Sequence, residues 1–150
     1  MSLEPGDAAP DIEAENQHGE TVSPDWGGVS VVYFYPKDDT RGCTIEAKQF
    51  QTELEQFREV GVTVYGVSVD DVDSHASFAD EYDLAFDLLA DPDADVVEAF
   101  DVEMDQGTAK RTTFVVVDGR VQAVYEGVQP DGHAREVLQD LADTGIVSRD

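Results

Sequence analysis

Cys43 is the only cysteine of the chain, and its position could support chemistry. It follows a continuous apolar run at residues 31–35, which is typical of a buried strand and ends at Pro36. Thr40 then stands at an N-cap position before a long helical pattern, so Cys43 falls in the first turn of a helix. The helix dipole and the unpaired backbone N–H groups there favour a thiolate over a thiol. We therefore hypothesise that Cys43 is a reactive thiolate.

The composition indicates a folded, strongly acidic protein. The net charge is −25, from 34 acidic and nine basic residues, while a hydrophobic fraction of 41% is enough for a core. Because the acidic residues are spread along the whole chain, nucleic acids and anionic membranes are not expected partners. A dispersed coat of this kind is a solvated surface, and it suggests a halophilic protein adapted to a salty cytoplasm. At about 1 M salt the screening length is only ~3 Å.

The cysteine count and the hydropathy limit the other possibilities. A single cysteine rules out an internal disulfide and a four-thiolate metal site. The chain has no basic, apolar N-terminal segment and no apolar run approaching about 18 residues. We therefore expect a cytoplasmic protein that forms a single domain over residues 1–150.

The segment after Cys43 predicts a helix followed by a second buried strand. Apolar residues at spacings of three and four predict a helix over residues 41–60. Gly61 is a natural residue to end it. The β-rich run at residues 62–69 is suited to the centre of a sheet, so that strand, helix and strand form a parallel βαβ crossover. The residues predicted to face the core from this helix are Ala47, Phe50, Leu54 and Phe57.

The remaining segments complete an α/β fold. Asp73 or Ser74 is expected to cap a helix that ends near Tyr82, and Pro92 is expected at the first position of a helix that ends near Phe100. Asp118-Gly119 is a strong hairpin signal, which Arg120 could extend. The other predicted elements are short strands near 12–14 and 20–22, an edge strand at 84–89, an irregular mobile loop at 101–110, hairpin strands at 112–117 and 121–125, and a helix at 131–142. This order predicts a thioredoxin-like fold, with a mixed central β-sheet and helices on both faces.

The other polar candidates are interpreted as structural. His75 and His133 lie far apart without ligand-type spacing, so we expect both at the surface rather than in a metal or base role. His18 lies in a turn and is expected to be exposed. A Cys–His hydrolase would need a histidine partner, and no motif supports one. Glu46 is interpreted as structural, either pairing with an arginine or favouring the helix N-terminus.

The pattern Pro36-x-x-x-Thr40-x-x-Cys43 resembles that of the peroxiredoxins. The fuller segment at residues 33–44, with Glu46 after it, is similar to the bacterioferritin-comigratory-protein (PrxQ) branch of that family. The resemblance extends over nearly the whole chain, because segments 6–11, 88–92 and 111–118 also match in the right order. Each fragment alone would be a weak signal, and together they are a strong one.

The resemblance implies a thiol-dependent peroxidase that reduces hydrogen peroxide and small organic hydroperoxides. It implies that Cys43 is the peroxidatic cysteine and becomes a sulfenic acid. Pro36, Thr40 and Arg111 would complete the peroxide pocket, with the Thr40 hydroxyl hydrogen-bonded to the thiolate or the peroxide. Arg111 and the backbone N–H groups near Gly42 would stabilise charge on the peroxide oxygens. The resemblance implies neither a metal nor another cofactor.

Two departures from the family pattern bear on the catalytic cycle. Many relatives carry a resolving cysteine five residues after the peroxidatic one, where this chain has Lys48 and no second cysteine elsewhere. The chain therefore resembles a 1-Cys enzyme that needs an external thiol reductant, either a thioredoxin-like protein or a small thiol. Arg41 replaces the usual proline, and the sequence does not decide whether Arg41 and Lys48 take part in the site. It also leaves open whether the protein is a monomer or a homodimer.

Two other functions remain open at this point. In the first, Cys43 belongs to a redox sensor or thiol-transfer module whose oxidation alters partner binding without turnover. In the second, the chain is an inert acidic interaction domain, which predicts no fast reaction with peroxide. Catalytic turnover with a thiol donor distinguishes the peroxidase from both.

Overall fold

The computed structural model of the chain describes residues 3–146. The strands are β1 (Ala14–Glu15), β2 (Thr21–Val22), β3 (Val29–Phe34), β4 (Val62–Ser68), β5 (Asp87–Ala90), β6 (Met104–Asp105), β7 (Thr108–Ala109), β8 (Thr112–Val117) and β9 (Arg120–Glu126). The helices are α1 (Arg41–Glu59), α2 (Val72–Tyr82), α3 (Asp95–Ala99) and α4 (His133–Asp143). Within residues 3–146, no helix is both long enough and apolar enough to cross a bilayer.

Seven of the strands form one mixed sheet in the order β2-β1-β5-β4-β3-β8-β9. Strand β3 pairs in parallel with β4 and antiparallel with β8, so the crossover through α1 joins two neighbouring parallel strands. Strand β4 occupies the middle of the sheet, as its continuous β-rich sequence predicted. The predicted mixed sheet is confirmed.

The side chains of β3 divide the core between the two faces of the sheet. Tyr33 belongs to a cluster that includes Phe50 of α1, Phe78 of α2 and Leu138 of α4. Phe34 points to the other side, into a cluster formed with α3 and the N-terminal segment. This alternation follows from the two-residue period of a strand. Helices therefore cover both faces, as predicted, with α3 alone on its side.

Helix α1 forms where its apolar period predicted. All four predicted core residues are buried, and the helix ends at Glu59, with Gly61 in a left-handed conformation at φ +79° just beyond it. Thr40 holds the N-cap position with an extended backbone. Its side chain does not cap the helix, and its hydroxyl donates to the Lys37 carbonyl at 2.8 Å.

The start of α3 corrects one prediction. Pro92 lies in a turn, and the helix begins three residues later, at Asp95. The reason is that the Asp91 carboxylate accepts hydrogen bonds from the backbone N–H groups of Val96 and Val97, at 2.9 Å each. This carboxylate therefore satisfies the helix N-terminus from four residues upstream.

Three further elements also differ from their predictions. Helix α2 begins at Val72, because Asp71 rather than Asp73 or Ser74 is the cap and accepts from the Ser74 N–H at 2.9 Å. Strand β5 is not an edge strand, since β1 adds to its outer side through the pair Glu15 and Ala90. Helix α4 runs from His133 to Asp143, slightly later than predicted.

The β8–β9 and β6–β7 hairpins each depend on a residue pair with positive φ. Asp118 and Gly119 have φ angles of 47° and 84°, which gives the predicted two-residue turn, and Arg120 already pairs with Val117. The segment 101–110 is not an irregular loop as predicted, because β6 and β7 form a second hairpin there. Its turn is Gln106-Gly107, at φ 52° and 84°. The X-Gly dipeptide is a turn signal in the sequence. The lack of a hydrophobic period in this segment led to the wrong prediction of an irregular loop.

His75 is fully buried, so the predicted surface position is wrong. Its ring contacts the Asp38 carboxylate through Nδ1 at 2.6 Å and the Leu89 carbonyl through Nε2 at 3.0 Å. The Asp38 carboxylate also accepts from the Tyr35 hydroxyl at 2.6 Å and the Ser74 hydroxyl at 2.8 Å. These contacts attach the loop that precedes α1 to helix α2. Burial of a histidine is stable here because both ring nitrogens have partners.

Asp70 extends this cluster by accepting from the Asp38 backbone N–H at 2.8 Å and from Ser68 Oγ at 2.7 Å. Ligand atoms of Asp38, Asp70 and His75 lie within 4.8 Å of one another. Because hydrogen bonds within the protein already engage these groups, we interpret the cluster as the attachment of the loop rather than as a metal site.

We predict that Asp38→Asn destabilises the fold by about 3 kcal/mol, because it leaves the buried His75 ring facing an amide instead of a carboxylate. Urea denaturation of the variant and the native protein measures the difference. Asp80→Asn, which removes an exposed carboxylate from α2, is the matched control. Equal free energies of unfolding for Asp38→Asn and the native protein would contradict the role given to this pair.

Candidate active site

The sheet topology brings Cys43 and Arg111 together although they are far apart in sequence. The last residue of β3, Phe34, pairs with the first residue of β8, Thr112. Cys43 follows β3 by one loop and Arg111 immediately precedes β8, so both lie at the same edge of the sheet. Antiparallel pairing of β3 with β8 is therefore the reason that a late residue reaches the thiol.

Cys43 lies in the first turn of α1 and is only 1% exposed. Arg111 donates from Nη2 to its Sγ at 3.4 Å. The guanidinium also packs against Gly42, where a Cβ atom would lie 3.1 Å from Nη2 and 3.3 Å from Pro130 Cγ. A side chain at position 42 would therefore press on the guanidinium and on Pro130, which would have to shift by a few tenths of an ångström. The structure brings together the predicted residues Gly42, Cys43 and Arg111.

Glu46 holds the guanidinium in place from one turn further along α1. Its Oε1 accepts from Arg111 Nη1 at 2.6 Å, and the exposed fractions of the two side chains are 0% for Glu46 and 16% for Arg111. Its Oε2 is buried and has no hydrogen-bond partner among residues 3–146. The predicted pairing of Glu46 with an arginine is confirmed. Arg111 thus contacts a carboxylate with one nitrogen and the thiol sulfur with the other.

The electrostatics of this group follow from its burial. Desolvation raises the pKa of Glu46 to about 7, although Arg111 opposes the shift. Burial alone would lower the pKa of Arg111, but the charges of Glu46 and then Cys43 outweigh it and raise that pKa. The arginine therefore stays a cation, whereas the carboxylate is close to its midpoint at neutral pH.

Tyr33 packs beneath these residues and was not singled out from the sequence. Its ring stacks on Phe50 with centroids 4.4 Å apart, and its hydroxyl packs so close to Gly66 that a Cβ there would lie 2.9 Å from it. Burial, followed by the negative charges of Glu46 and Cys43, raises the pKa of Tyr33 well above its usual value. The phenol therefore keeps its proton.

Thr40 and Pro36 flank the thiol along the chain but make no recorded hydrogen bond to it. Thr40 is exposed and donates its hydroxyl proton to the Lys37 carbonyl, which leaves the oxygen able to accept. Pro36 is half-buried between β3 and the Asp38 loop. Arg41 and Lys48 are exposed, and neither forms a hydrogen bond or ion pair with Cys43, Glu46 or Arg111.

His133 is buried, and its predicted surface position is also wrong. Its Nε2 lies 2.8 Å from Thr113 Oγ1, its Nδ1 lies 3.4 Å from Glu136, and its ring meets Phe50 edge to face at 6.0 Å. Burial lowers the pKa of His133, although Glu136 opposes the shift, so the ring is neutral at pH 7. The sequence of α4 could have indicated that His133 is buried, because Val137, four residues later, lies on the apolar face of the helix.

A cavity of about 250 Å³ lies beside the guanidinium. Its walls are Glu103, Lys110, Arg111, Thr112, Glu126, Gly127 and Val128. The cavity gives solvent-borne molecules access to Arg111 although the side chain is mostly buried. The arrangement as a whole can stabilise a sulfur anion and an oxygen that gains negative charge next to it.

We predict that the stability of Glu46→Gln relative to the native protein rises with pH. The folded state holds the Glu46 proton more tightly than the unfolded chain, so the contribution of Glu46 to the free energy of unfolding falls as pH rises from 4.5 to about 7. Glutamine lacks this contribution but still accepts from Arg111. Urea denaturation between about pH 5 and about pH 8 should show a relative gain of about 1–3 kcal/mol.

Glu55→Gln removes an exposed carboxylate from the same helix and controls for the change in net charge. Parallel pH profiles for Glu46→Gln and the native protein would contradict the assignment of a buried, easily protonated carboxylate at position 46.

Comparisons with a family model, with protein sequences and with solved structures all find peroxiredoxins or their family. The AhpC/TSA family model matches residues 5–124. Peroxiredoxin Bcp of Bacillus subtilis is 39% identical over 95% of this chain and 98% of its own length. The chloroplastic peroxiredoxin Q of Arabidopsis thaliana is 40% identical over 91% of this chain and 66% of its own length.

Among solved structures, a cysteine-to-serine variant of Xylella fastidiosa PrxQ superimposes with a TM-score of 0.90 at 30% identity, covering 97% of this chain and 99% of its own. This likeness confirms the predicted thioredoxin-like fold. Because the family model matches most of the chain and the relatives match it almost end to end, the chain belongs to the AhpC/TSA family, in its Bcp and PrxQ peroxiredoxin branch.

Proposed function

We propose that the protein is a thiol-dependent peroxidase of antioxidant defence, with Cys43 as the residue that attacks the peroxide. The observation that carries the proposal is the 3.4 Å contact between Arg111 Nη2 and Cys43 Sγ inside a buried site. A guanidinium that already contacts the sulfur is placed to favour the thiolate. Peroxiredoxin relatives of the same branch support the reaction class.

In the first step the Cys43 thiolate attacks one oxygen of the peroxide. A sulfur–oxygen bond forms and the oxygen–oxygen bond breaks, so that the thiolate becomes a sulfenic acid and the other oxygen leaves as an alkoxide or hydroxide. The leaving oxygen then takes a proton to become an alcohol or water. Negative charge thus passes from the sulfur to oxygen during the step.

Arg111 and the backbone N–H groups near Gly42 and Cys43 are the donors for that charge. They are fixed before the reaction begins, which is the condition for effective electrostatic stabilisation. Thr40 would orient the peroxide through its hydroxyl, after that hydroxyl turns from the Lys37 carbonyl. Pro36 would limit the access of water from the β3 side.

The second step needs a thiol from outside the chain, because Cys43 is the only cysteine. An external thiolate attacks the sulfenic sulfur, and a second thiol releases Cys43 from the resulting mixed disulfide. The reductant is a thioredoxin-like protein or a small thiol, and the enzyme works as a monomer or homodimer without a metal or another cofactor.

We predict that the native protein reacts with hydrogen peroxide at least about 10³-fold faster than a relocated thiol. In the double variant Cys43→Ser with Ser77→Cys, the chain keeps one cysteine but places it on an exposed position of α2. Competition kinetics gives both rate constants, and mass spectrometry should show one added oxygen on Cys43 of the native protein. Cys43→Ser alone should not react.

A native rate no faster than that of the relocated thiol would contradict the peroxidase. Oxidation that stops after one equivalent with every thiol donor would instead identify a sensor. Absence of any fast reaction would leave only an inert interaction domain.

For its setting, we propose that the chain forms one domain and works in a cytoplasm with a high salt concentration. The net charge of −25 supports this, because repulsion among so many carboxylates weakens a compact fold in dilute buffer. Salt at about 1 M reduces the screening length to ~3 Å and removes most of that repulsion.

We predict that the apparent melting temperature rises as KCl is added from dilute buffer to about 1 M. Differential scanning fluorimetry at a fixed protein concentration measures it, with sucrose of equal osmolality as the control for non-ionic stabilisation. A melting temperature that does not respond to KCl would rule out the salt adaptation.

A further inference from the structure

The basic residues of this acidic protein divide into those with partners and those without. Arg149 lies outside the described residues. The basic side chains that contact a carboxylate or a backbone carbonyl are Arg58, Lys110, Arg111, Arg120 and Arg135. The others, Lys37, Arg41 and Lys48, have no ion pair or side-chain hydrogen bond within residues 3–146. All three belong to the twelve-residue segment around Cys43.

These three side chains, which we call the cationic face, are all exposed. Arg41 stands in the same helical turn as Cys43, and Lys37 lies in the loop before it. Lys48 is seven residues after Arg41, so the two lie on the same side of α1, two turns and about 10 Å apart. The Lys48 ammonium lies over the Tyr82 ring, 5.8 Å from its centroid.

The carboxylates nearest in sequence form no ion pair with these three side chains. Asp38 is buried against His75, and Glu46 is buried against Arg111. Asp39 is exposed and accepts from the Tyr82 hydroxyl at 3.3 Å. Three exposed cations without carboxylate partners among residues 3–146 therefore lie within six residues of Cys43 in the sequence of a protein whose net charge is −25.

We propose that the cationic face binds the carboxylates of a small anionic thiol and guides it to oxidised Cys43. The proposal rests on the peroxidase function and names its reductant by chemical class. A small thiol carrying one or two carboxylates responds mainly to the charges within a few ångströms of its path. An acidic protein reductant would instead meet the repulsion of the whole molecule, so the small thiol fits the charge distribution better.

The reaction at this face is the recycling half of the cycle. The thiolate of the small thiol attacks the sulfenic sulfur of Cys43, a disulfide bond forms and the sulfur–oxygen bond breaks. The hydroxide that leaves takes a proton to become water. A second molecule of the thiol attacks the mixed disulfide, releases the Cys43 thiolate and is oxidised with the first to a small disulfide.

The test measures recycling after the protein has been oxidised with one equivalent of hydrogen peroxide. The probes are mercaptosuccinate, 3-mercaptopropionate, 2-mercaptoethanol and cysteamine, which carry two, one and no carboxylates and an ammonium group. Stopped-flow detection follows loss of the sulfenic acid, and mass spectrometry identifies the mixed disulfide. Comparing a variant with the native protein for the same thiol cancels the intrinsic reactivity of that thiol.

The test variants are Arg41→Gln with Lys48→Gln, and the charge reversal Arg41→Glu with Lys48→Glu. Arg58→Gln with Arg135→Gln changes the net charge equally at distant helical positions and is the control. All are compared at the lowest salt concentration at which circular dichroism shows an intact fold. We expect the neutralised variant to lose about fivefold in rate with mercaptosuccinate and less than about 1.5-fold with 2-mercaptoethanol.

The charge reversal should lower the recycling rate with mercaptosuccinate further and raise the rate with cysteamine. A purely structural effect would not change the two rates in opposite directions. Both effects should shrink as KCl is added. Equal losses with all four thiols, or equal effects in the Arg58 and Arg135 control, would overturn the proposal. Charge sensitivity confined to oxidation by a carboxylate-bearing hydroperoxide would assign the face to the substrate and also overturn it.

Different results would contradict the peroxidase function and the role of the cationic face. Slow formation of the sulfenic acid in the native protein would count against the peroxidase itself. Fast formation followed by charge-independent recycling would count only against the cationic face.

Discussion

The buried contact of Glu46 with Arg111 is the interaction on which the site depends. A guanidinium next to a thiol in an apolar setting is costly unless a carboxylate compensates it. Glu46 does so through Oε1 at 2.6 Å and leaves the second guanidinium nitrogen directed at Cys43 Sγ. Because the same carboxylate is itself desolvated, its protonation changes the net charge that the sulfur experiences. The reactivity of the thiol and the stability of the fold are therefore linked through one ion pair.

The architecture supports that pair from three sides. Strand β3 pairs with β4 and β8, so the start of α1 and the start of β8 meet at one end of the sheet. Tyr33 packs beneath the site, in a space that only the missing side chain of Gly66 leaves open. Asp38 and His75 attach the preceding loop to α2. Each of these contacts joins segments that are distant in sequence, so the geometry of the site is a property of the whole sheet.

Local patterns in the sequence were enough to predict the elements, because strand and helix periods are short-range properties. The apolar period of α1, the position of Cys43 and the Asp118-Gly119 turn all follow from neighbours within a few residues. The burial of His75 and His133 could not be predicted in this way, since the groups that satisfy them, Asp38 and Thr113, come from other elements. The predicted start of α3 was wrong because the carboxylate that caps the helix lies four residues upstream, beyond the usual N-cap spacing.

The same distinction applies to the site. The resemblance to the peroxiredoxins suggested Arg111, and the pairing of β3 with β8 explains physically why it reaches the thiol. Nothing in the local sequence indicates Tyr33 as a packing partner of the site, because its ring is one of several in an aromatic cluster. Its buried hydroxyl has no hydrogen-bond partner within residues 3–146. The sequence also could not predict which basic residues lack both an ion pair and a side-chain hydrogen bond within residues 3–146, because this depends on contacts between distant segments. Lys37, Arg41 and Lys48, all near Cys43 in sequence, are the three without either.

The role of Arg111 is tested by the rate constant for oxidation of Arg111→Gln by hydrogen peroxide, measured at high pH where the thiol is fully ionised. At that pH the variant and the native protein have equal thiolate fractions, so the comparison isolates stabilisation of the transition state. We predict that the variant loses about 10²-fold or more in this rate constant. An unchanged rate constant would show that the guanidinium does not act on the reacting atoms and that Arg111 is not a catalytic residue.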